Sequence, residues 1–223
     1  MTEHPFGPEH FERVDESSDR LFYSFPRKVV HLDDAAIAAV KQLLRQVLPP
    51  QGVILDLMSS WRSHWPEGFP KERLIGLGLN AEEMAENPDL DASVVHDLNA
   101  DPRLPFEEGF FDAAVLTVSV QYLIHPIEVF REVNRSLKPG GLFVVIFSNR
   151  MFPTKTVAVW RACNDEQHAG LVASYFRSAG NFEGLAVQDH TPPAEEYTDP
   201  VYVVLARKAD AATAAGEERT RAE

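Results

Sequence analysis

Short apolar runs of strand length alternate with amphipathic helical stretches along this chain, and this alternation limits the possible folds more than any other feature. Helices are predicted from Asp33 to Leu48, from Pro126 towards Lys138 and from Asp165 to Ala179. The predicted strands are Val53–Leu57, Leu74–Leu77, Ala92–Asp97, Phe111–Val118, Leu142–Phe147, Glu183–Gln188 and Val201–Ala206. Strands that alternate with helices indicate an α/β fold, with a mostly parallel sheet covered by helices on both faces.

Composition restricts the class of protein further. The chain has 223 residues and a formal net charge of −13, which disfavours nucleic-acid and membrane partners because both need a basic surface. No apolar run approaches the length of a membrane span, the first residues do not resemble a secretory signal, and one cysteine cannot form an internal disulfide. These features predict a cytoplasmic protein without a metal site. The predicted organisation is an irregular covering segment at 1–32, one domain at 33–208 and a disordered tail at 209–223.

Several motifs follow one another at the ends of the predicted strands, where ligands bind to sheets of this kind. They lie at Val53–Leu57, Ile75–Asn80, Val95–Leu98, Leu104–Phe106 with Phe111–Asp112, and Phe130–Gly141. In this order and spacing the chain resembles a class I S-adenosylmethionine-dependent methyltransferase of the type 11 kind, over roughly 33–207. The resemblance implies a Rossmann-like fold with a seven-stranded sheet, and S-adenosyl-L-methionine as the cofactor.

The resemblance also implies a cofactor site built from the loops after the first four strands. Asp97 would accept a hydrogen bond from the adenine amino group, and the backbone N–H of Leu98 would meet the ring. The segment after the fourth strand would line the methyl donor. The implied cofactor-binding residues are Asp56, Leu57, Met58, Ser59, Ser60, Trp61, Gly78, Leu79, Asn80, Asp97, Leu98, Asn99, Thr117, Val118 and Ser119.

Two of these loops differ from the family pattern. The first loop, which in the family reads Asp-x-Gly-x-Gly-x-Gly, contains no glycine here, so side chains enter a place normally left to bare backbone. Pro66 is expected to shorten the helix that follows. The second strand ends in Gly78, where the family has an acidic residue for the ribose hydroxyls. If Gly78 is the weak point of the site, Gly78→Asp is predicted to tighten binding, and no gain would mean that Asn80 or another group already serves the ribose. Asn80 could serve the ribose, but with Glu83 it is better explained as a helix cap.

The acceptor would lie under the N-terminal segment and the loops after the fourth and fifth strands. Arg27 and Arg150, one from each covering element, could hold an anionic acceptor. The candidate substrate-binding residues are Arg27, Gln121, Asn149 and Arg150, and the candidate catalytic residues are Tyr23, His31 and Tyr122. Packing of these side chains against the sheet is the alternative explanation for each of them.

The favoured function is therefore S-adenosylmethionine-dependent methylation of a small molecule. Methyl transfer depends mainly on positioning, so the lack of a recognisable catalytic triad in the sequence is compatible with it. A non-catalytic S-adenosylmethionine-binding or regulatory protein on the same fold is the alternative, with the cleft narrowed by Met58, Trp61 and Arg62. A nicotinamide dehydrogenase is disfavoured, because no Gly-x-Gly-x-x-Gly follows the first strand. The sequence specifies neither the acceptor atom nor the oligomeric state.

Overall fold

A computed structural model describes residues 5–193 and 197–210 and contains one seven-stranded sheet. The strands are β1 (Val53–Leu57), β2 (Arg73–Gly78), β3 (Ala92–Val95), β4 (Phe111–Thr117), β5 (Leu137–Phe147), β6 (Phe182–Asp189) and β7 (Tyr202–Lys208). Their order is β3-β2-β1-β4-β5-β7-β6. The first five strands are parallel, and β7 is antiparallel to both β5 and β6. The predicted Rossmann-like α/β class, with a mostly parallel sheet, is confirmed.

Six α-helices connect or cover these strands in the described residues. They are α1 (Asp19–Phe22), α2 (Asp34–Val47), α3 (Ala81–Ala85), α4 (Pro126–Ser136), α5 (Ala158–Arg161) and α6 (Asp165–Ala179). Helix α2 begins where predicted because the Asp33 carboxylate accepts a hydrogen bond from the Ala36 N–H at 2.8 Å. Helix α4 begins with Pro126 in its first turn, where a missing N–H costs no helical hydrogen bond.

The central strands of the sheet are buried on both faces, as β5 shows. Phe143, Val145 and Phe147 face a core that contains α4 and α6, where the Phe130 and Phe143 ring centroids are 4.9 Å apart. The intervening Val144 and Ile146 face a second core that contains α2. This alternation is the period-two pattern of a strand with two covered faces. Polar groups that bind ligands are thus restricted to the edge where the parallel strands end.

Several element boundaries differ from prediction by one or more residues, and three of them lie in β3, β4 and β5. Strand β3 ends at Val95 instead of Asp97, and β4 ends at Thr117. Strand β5 begins at Leu137, because a shift in register between Phe111 and Ala113 lets the Lys-Pro-Gly-Gly segment join the strand. Residues 211–223 of the predicted tail lie outside the described residues.

The helix predicted after the first loop is absent, since residues 58–72 contain no helical turn. Pro66 and Pro70 lack the N–H groups that a helix would need there. The loop is held instead by bonds to other segments, among them the bond from the Ser59 N–H to the Leu77 carbonyl at 2.8 Å. The connection from β1 to β2 is therefore an irregular loop that crosses the end of β2.

Candidate cofactor and acceptor site

A cavity of about 130 Å³ lies at the carboxyl ends of β1 to β4, beneath residues of the N-terminal segment. This edge is where ligands bind in open parallel sheets. Most of the predicted site residues line it, namely Tyr23, Arg27, His31, Asp56, Met58, Ser59, Ser60, Trp61, Gly78, Leu79, Asn80, Asp97, Leu98, Asn99, Thr117, Val118, Ser119 and Tyr122. The structure therefore brings together residues that are far apart in the chain.

Four predicted residues do not line the cavity. Leu57 is 1% exposed and belongs to the core, because successive strand residues point to opposite faces. Gln121 is buried, and its amide donates to the Val118 and Arg150 carbonyls. The Asn149 amide donates to the Tyr197 hydroxyl at 3.1 Å, and the Arg150 guanidinium pairs with Asp199 at 2.9 Å. The predicted substrate contacts of Gln121, Asn149 and Arg150 are therefore not supported.

The first loop is organised around the buried carboxylate of Asp56. Its Oδ2 accepts hydrogen bonds from the Ser59 hydroxyl at 2.5 Å and the Ser63 hydroxyl at 2.6 Å. Burial raises the pKa of Asp56 to about 6, because the charged form loses its hydration. The hydrogen bonds from Ser59 and Ser63 to Asp56 hold the loop in place. The raised pKa leaves a fraction of the Asp56 carboxyl groups protonated near neutral pH.

Backbone strain is concentrated at this cavity. Met58 has a φ of 56° and Val118 a φ of 45°, in the left-handed region that residues with a Cβ rarely adopt. Each follows a parallel strand, β1 or β4, and each lines the cavity. Such conformations cost on the order of 1–3 kcal/mol and tend to occur at functional sites. Met58 occupies the position of the first family glycine and retains a backbone conformation that suits glycine.

The end of β2 leaves no room for a side chain. A Cβ on Gly78 would lie 2.1 Å from the Ser59 carbonyl oxygen and 3.1 Å from the Met84 sulfur. The predicted gain from Gly78→Asp is therefore wrong, because the first loop occupies that space. Asn80 is the helix cap that the sequence favours, since its Oδ1 accepts the Glu83 N–H at 3.0 Å. Its amide also donates to the Tyr23 carbonyl at 3.0 Å.

The end of β3 presents a carboxylate with spare capacity. Asp97 is 6% exposed, and its Oδ1 accepts the N–H groups of Asn99 and Ala100. Among the described residues, its Oδ2 has only the Arg20 guanidinium nearby, at 4.0 Å. The Thr117 hydroxyl, at the end of β4, is buried without a hydrogen-bond partner in the described chain. A free carboxylate oxygen and a free hydroxyl in one cavity fit a ligand rich in polar hydrogens, such as an adenosyl group.

Comparisons with known proteins agree with this geometry. Residues 68–145 match the family model described as a methyltransferase domain. Over this part, about a third of the chain, it is similar to class I S-adenosylmethionine-dependent methyltransferases. The match agrees with the predicted resemblance to that family, whose cofactor is S-adenosyl-L-methionine.

The sequence relatives match short segments, whereas solved structures match most of the chain. Sterol 4-C-methyltransferase strm-1 of Caenorhabditis elegans is 42% identical over 43 residues, which is 19% of this chain but 13% of that protein. An S-adenosylmethionine-dependent methyltransferase from Mesorhizobium loti has a TM-score of 0.52 at 21% identity and covers 76% of this chain and 97% of that one. The cyclase SpnF has a TM-score of 0.57 at 20% identity and covers 77% and 80%. These two structures are similar to this chain in fold.

In the part of the chain that the structure describes, three histidines line the cavity, namely His31, His64 and His96. Burial raises the pKa of Tyr23, and raises that of Tyr122 to about 12, so both phenols stay protonated at neutral pH. Burial lowers the pKa of His31, and lowers that of His64 to about 4, so both imidazoles are neutral. His64 is a cavity residue that the sequence does not reveal, since it lies in the irregular loop and belongs to no motif.

The segment over the cavity is held by a buried charge cluster around Asp19. Both Asp19 oxygens accept from the Arg13 guanidinium, at 2.7 and 2.9 Å, and the Asn99 amide donates at 2.7 Å. The Lys155 ammonium lies 3.3 Å from Asp19 and is 1% exposed. This cluster connects the N-terminal segment to the loops after β3 and β5. Neither Asp19 nor Lys155 carries a local sequence signal.

The described residues show neither a membrane-spanning helix nor a cluster of metal ligands. None of their helices combines the length and the apolar character needed to cross a membrane. They also contain no group of three or more histidine, cysteine, aspartate or glutamate side chains placed to hold a metal ion.

Proposed function

We propose that this chain transfers a methyl group from S-adenosyl-L-methionine to a small-molecule acceptor. The observation that supports the proposal most is the cavity at the ends of β1 to β4, in which Asp97 has a free carboxylate oxygen. Asp97 would accept from the adenine amino group, and the Thr117 hydroxyl is available to the rest of the cofactor. S-adenosyl-L-methionine supplies an activated methyl group, so the protein mainly has to position the acceptor and exclude water.

The acceptor in this proposal carries an anionic group. The Arg27 guanidinium lies 3.9 Å from the Phe22 ring centroid, and the Arg62 guanidinium lies 4.0 Å from that of Trp61. Both line the cavity, and among the described residues neither forms an ion pair, although the chain has a net charge of −13. Stacked guanidiniums with unused donors suit a carboxylate or phosphate. Arg62 therefore replaces Arg150 as the expected partner of Arg27.

Proton removal from a protonated acceptor is assigned to His31. It is neutral, lies at the cavity and contacts the edge of the Phe152 ring, with the centroids 5.0 Å apart. Tyr23 and Tyr122 then serve as walls of the cavity. The Tyr122 hydroxyl accepts the Phe152 N–H at 2.8 Å and thereby holds the loop after β5.

Calorimetric titration with S-adenosyl-L-homocysteine tests the binding step. We expect saturable binding to the intact chain and a loss of at least about tenfold in affinity in Asp97→Ala, because a buried charged hydrogen bond is removed. Asp101→Ala is the matched control, since this carboxylate is exposed and lies in the same loop. Equal affinities for Asp97→Ala and the intact chain would refute the adenine assignment.

The alternative is a protein that binds the cofactor without transferring its methyl group. The first loop supports it, since the Ser59 carbonyl lies against Gly78, where the family pattern has an acidic side chain for the ribose. The cyclase SpnF also has this fold. Incubation with S-adenosyl-L-methionine and fractionated small anionic metabolites distinguishes the two. Acceptor-dependent formation of S-adenosyl-L-homocysteine supports transfer, and binding without any such product supports the alternative.

We also propose a cytoplasmic location, and partners that include neither nucleic acid nor a membrane. The supporting observations are the net charge of −13 and the presence of a single cysteine. The covering segment at 1–32 and the domain at 33–208 remain our proposed division of the chain.

A further inference from the structure

We propose that Glu83, on helix α3, is the carboxylate that recognises the ribose hydroxyls and makes the site specific for a ribonucleoside. This inference rests on the proposed function, because it concerns how that same cavity holds the adenosyl group. It moves hydroxyl recognition away from the end of β2, where the sequence comparison places it.

The end of β2 has no side chain able to accept hydroxyl protons. Gly78 has none, and the Ser59 carbonyl leaves no space for one. The Asn80 side chain is committed to the cap of α3 and to the Tyr23 carbonyl. Asp97 is the next carboxylate along this edge, and it is assigned to the base. The ribose acceptor must therefore come from another element.

Glu83 is the carboxylate that we assign to the ribose hydroxyls. It is 4% exposed and lines the cavity, one helical turn beyond Asn80. In the described chain, no lysine, arginine or histidine nitrogen pairs with it. A buried carboxylate without a counter-ion is costly unless its oxygens are hydrogen-bonded. The Glu83 carboxylate oxygens therefore need hydrogen bonds from uncharged N–H or O–H groups at the cavity.

The donors that Glu83 holds resemble those of a ribose. The Ser60 hydroxyl donates to Oε2 at 2.5 Å, and the Arg27 N–H donates to Oε1 at 2.5 Å. One carboxylate oxygen thus already receives a hydroxyl proton, and a vicinal diol could supply both oxygens. Exchange of the Ser60 hydroxyl for a ligand hydroxyl preserves the number of hydrogen bonds, so it costs little. Ser60 and Arg27 belong to the first loop and to the N-terminal segment, which cover the cavity. Binding of a ligand hydroxyl at Glu83 therefore also changes the contacts that hold these two segments.

The test compares S-adenosyl-L-homocysteine with its 2′,3′-dideoxy counterpart by calorimetry on the full chain. We expect the intact chain to prefer the hydroxylated ligand by about tenfold or more, since a site built for hydroxyls rejects an analogue that lacks them. Glu83→Gln should reduce this preference to about threefold or less. Glu82→Gln, an exposed neighbour on the same helix, should leave the preference unchanged. An unchanged preference in Glu83→Gln would overturn the assignment.

A second variant separates ligand binding from a purely structural role. Ser60→Ala removes the competing hydroxyl, so we expect it to raise the affinity for S-adenosyl-L-homocysteine, whereas Glu83→Gln lowers it. If Glu83 only anchored the first loop, both variants would weaken binding alike, and the assignment would fail. This comparison also decides the matter if Glu83→Gln does not fold, because a weaker Ser60→Ala then contradicts the proposal. Failure of the intact chain to bind S-adenosyl-L-homocysteine would instead refute the proposed function itself.

Discussion

Replacement of Gly78 by alanine tests whether the first loop really crosses the end of β2. The added Cβ would lie 2.1 Å from the Ser59 carbonyl oxygen, more than an ångström closer than an ordinary contact. The loop must move away, because the nearest atom belongs to backbone and not to a flexible side chain. Overpacking of this kind costs about 1–3 kcal/mol.

Movement of the first loop would also break hydrogen bonds of Ser59. The Ser59 N–H donates to the Leu77 carbonyl at 2.8 Å, and the Ser59 hydroxyl donates to Asp56 at 2.5 Å. Loss of one such bond costs about 0.5–1.5 kcal/mol. We therefore expect Gly78→Ala to lower the free energy of unfolding by about 2–4 kcal/mol. It should also weaken binding of S-adenosyl-L-homocysteine, because the displaced loop lines the cavity.

Urea denaturation followed by circular dichroism measures this change. Gly170→Ala is the matched control, because Gly170 lies in helix α6 and a Cβ there has no atom within 4 Å. That change should stabilise the protein by about 0.5–1 kcal/mol, since alanine is the better helix former. If Gly78→Ala were as stable as the unaltered chain, the described path of the first loop would be incorrect.

Two further predictions concern buried charges. Burial raises the pKa of Asp56 from the ordinary 3.8 to about 6, so the folded state holds an extra proton between these pH values and stability falls as pH rises. Relative to Asp56→Asn, the unaltered chain should lose about 2 kcal/mol from pH 4 to pH 7 in urea titrations, and a parallel pH dependence would contradict this. Lys155→Met removes one positive charge from the buried cluster around Asp19 and should lower the free energy of unfolding by about 3–5 kcal/mol. Limited proteolysis should then cut the N-terminal segment faster, and an unchanged cleavage rate would show that Lys155 does not hold it.

The strands and main helices could be predicted because their signals are local. Buried residues of β5 alternate between two cores, and Asp33 caps α2 within its own turn. Apolar periodicity and caps depend on neighbours in the sequence, so they can be read without knowledge of the fold.

The details of the site could not be predicted, because they depend on distant contacts. Asn80 and Glu83 have the spacing of a capping box, yet the Glu83 carboxylate bonds to Ser60 and to Arg27 instead. Asp19 meets Asn99 across 80 residues of sequence. The family pattern has an acidic side chain at the position of Gly78, whereas here the Ser59 carbonyl of a loop without glycines fills that space. Substitutions within a motif thus changed the path of a loop in a way that a position-by-position comparison does not show.

A crystal structure of the chain with S-adenosyl-L-homocysteine tests the central claim most directly. We predict that the adenine amino group lies within hydrogen-bond distance of the Asp97 carboxylate, with the ribose hydroxyls on Glu83 and Met58 still in the left-handed conformation. A structure in which the first loop fills the cavity and the nucleoside is excluded, at millimolar ligand, would contradict the account.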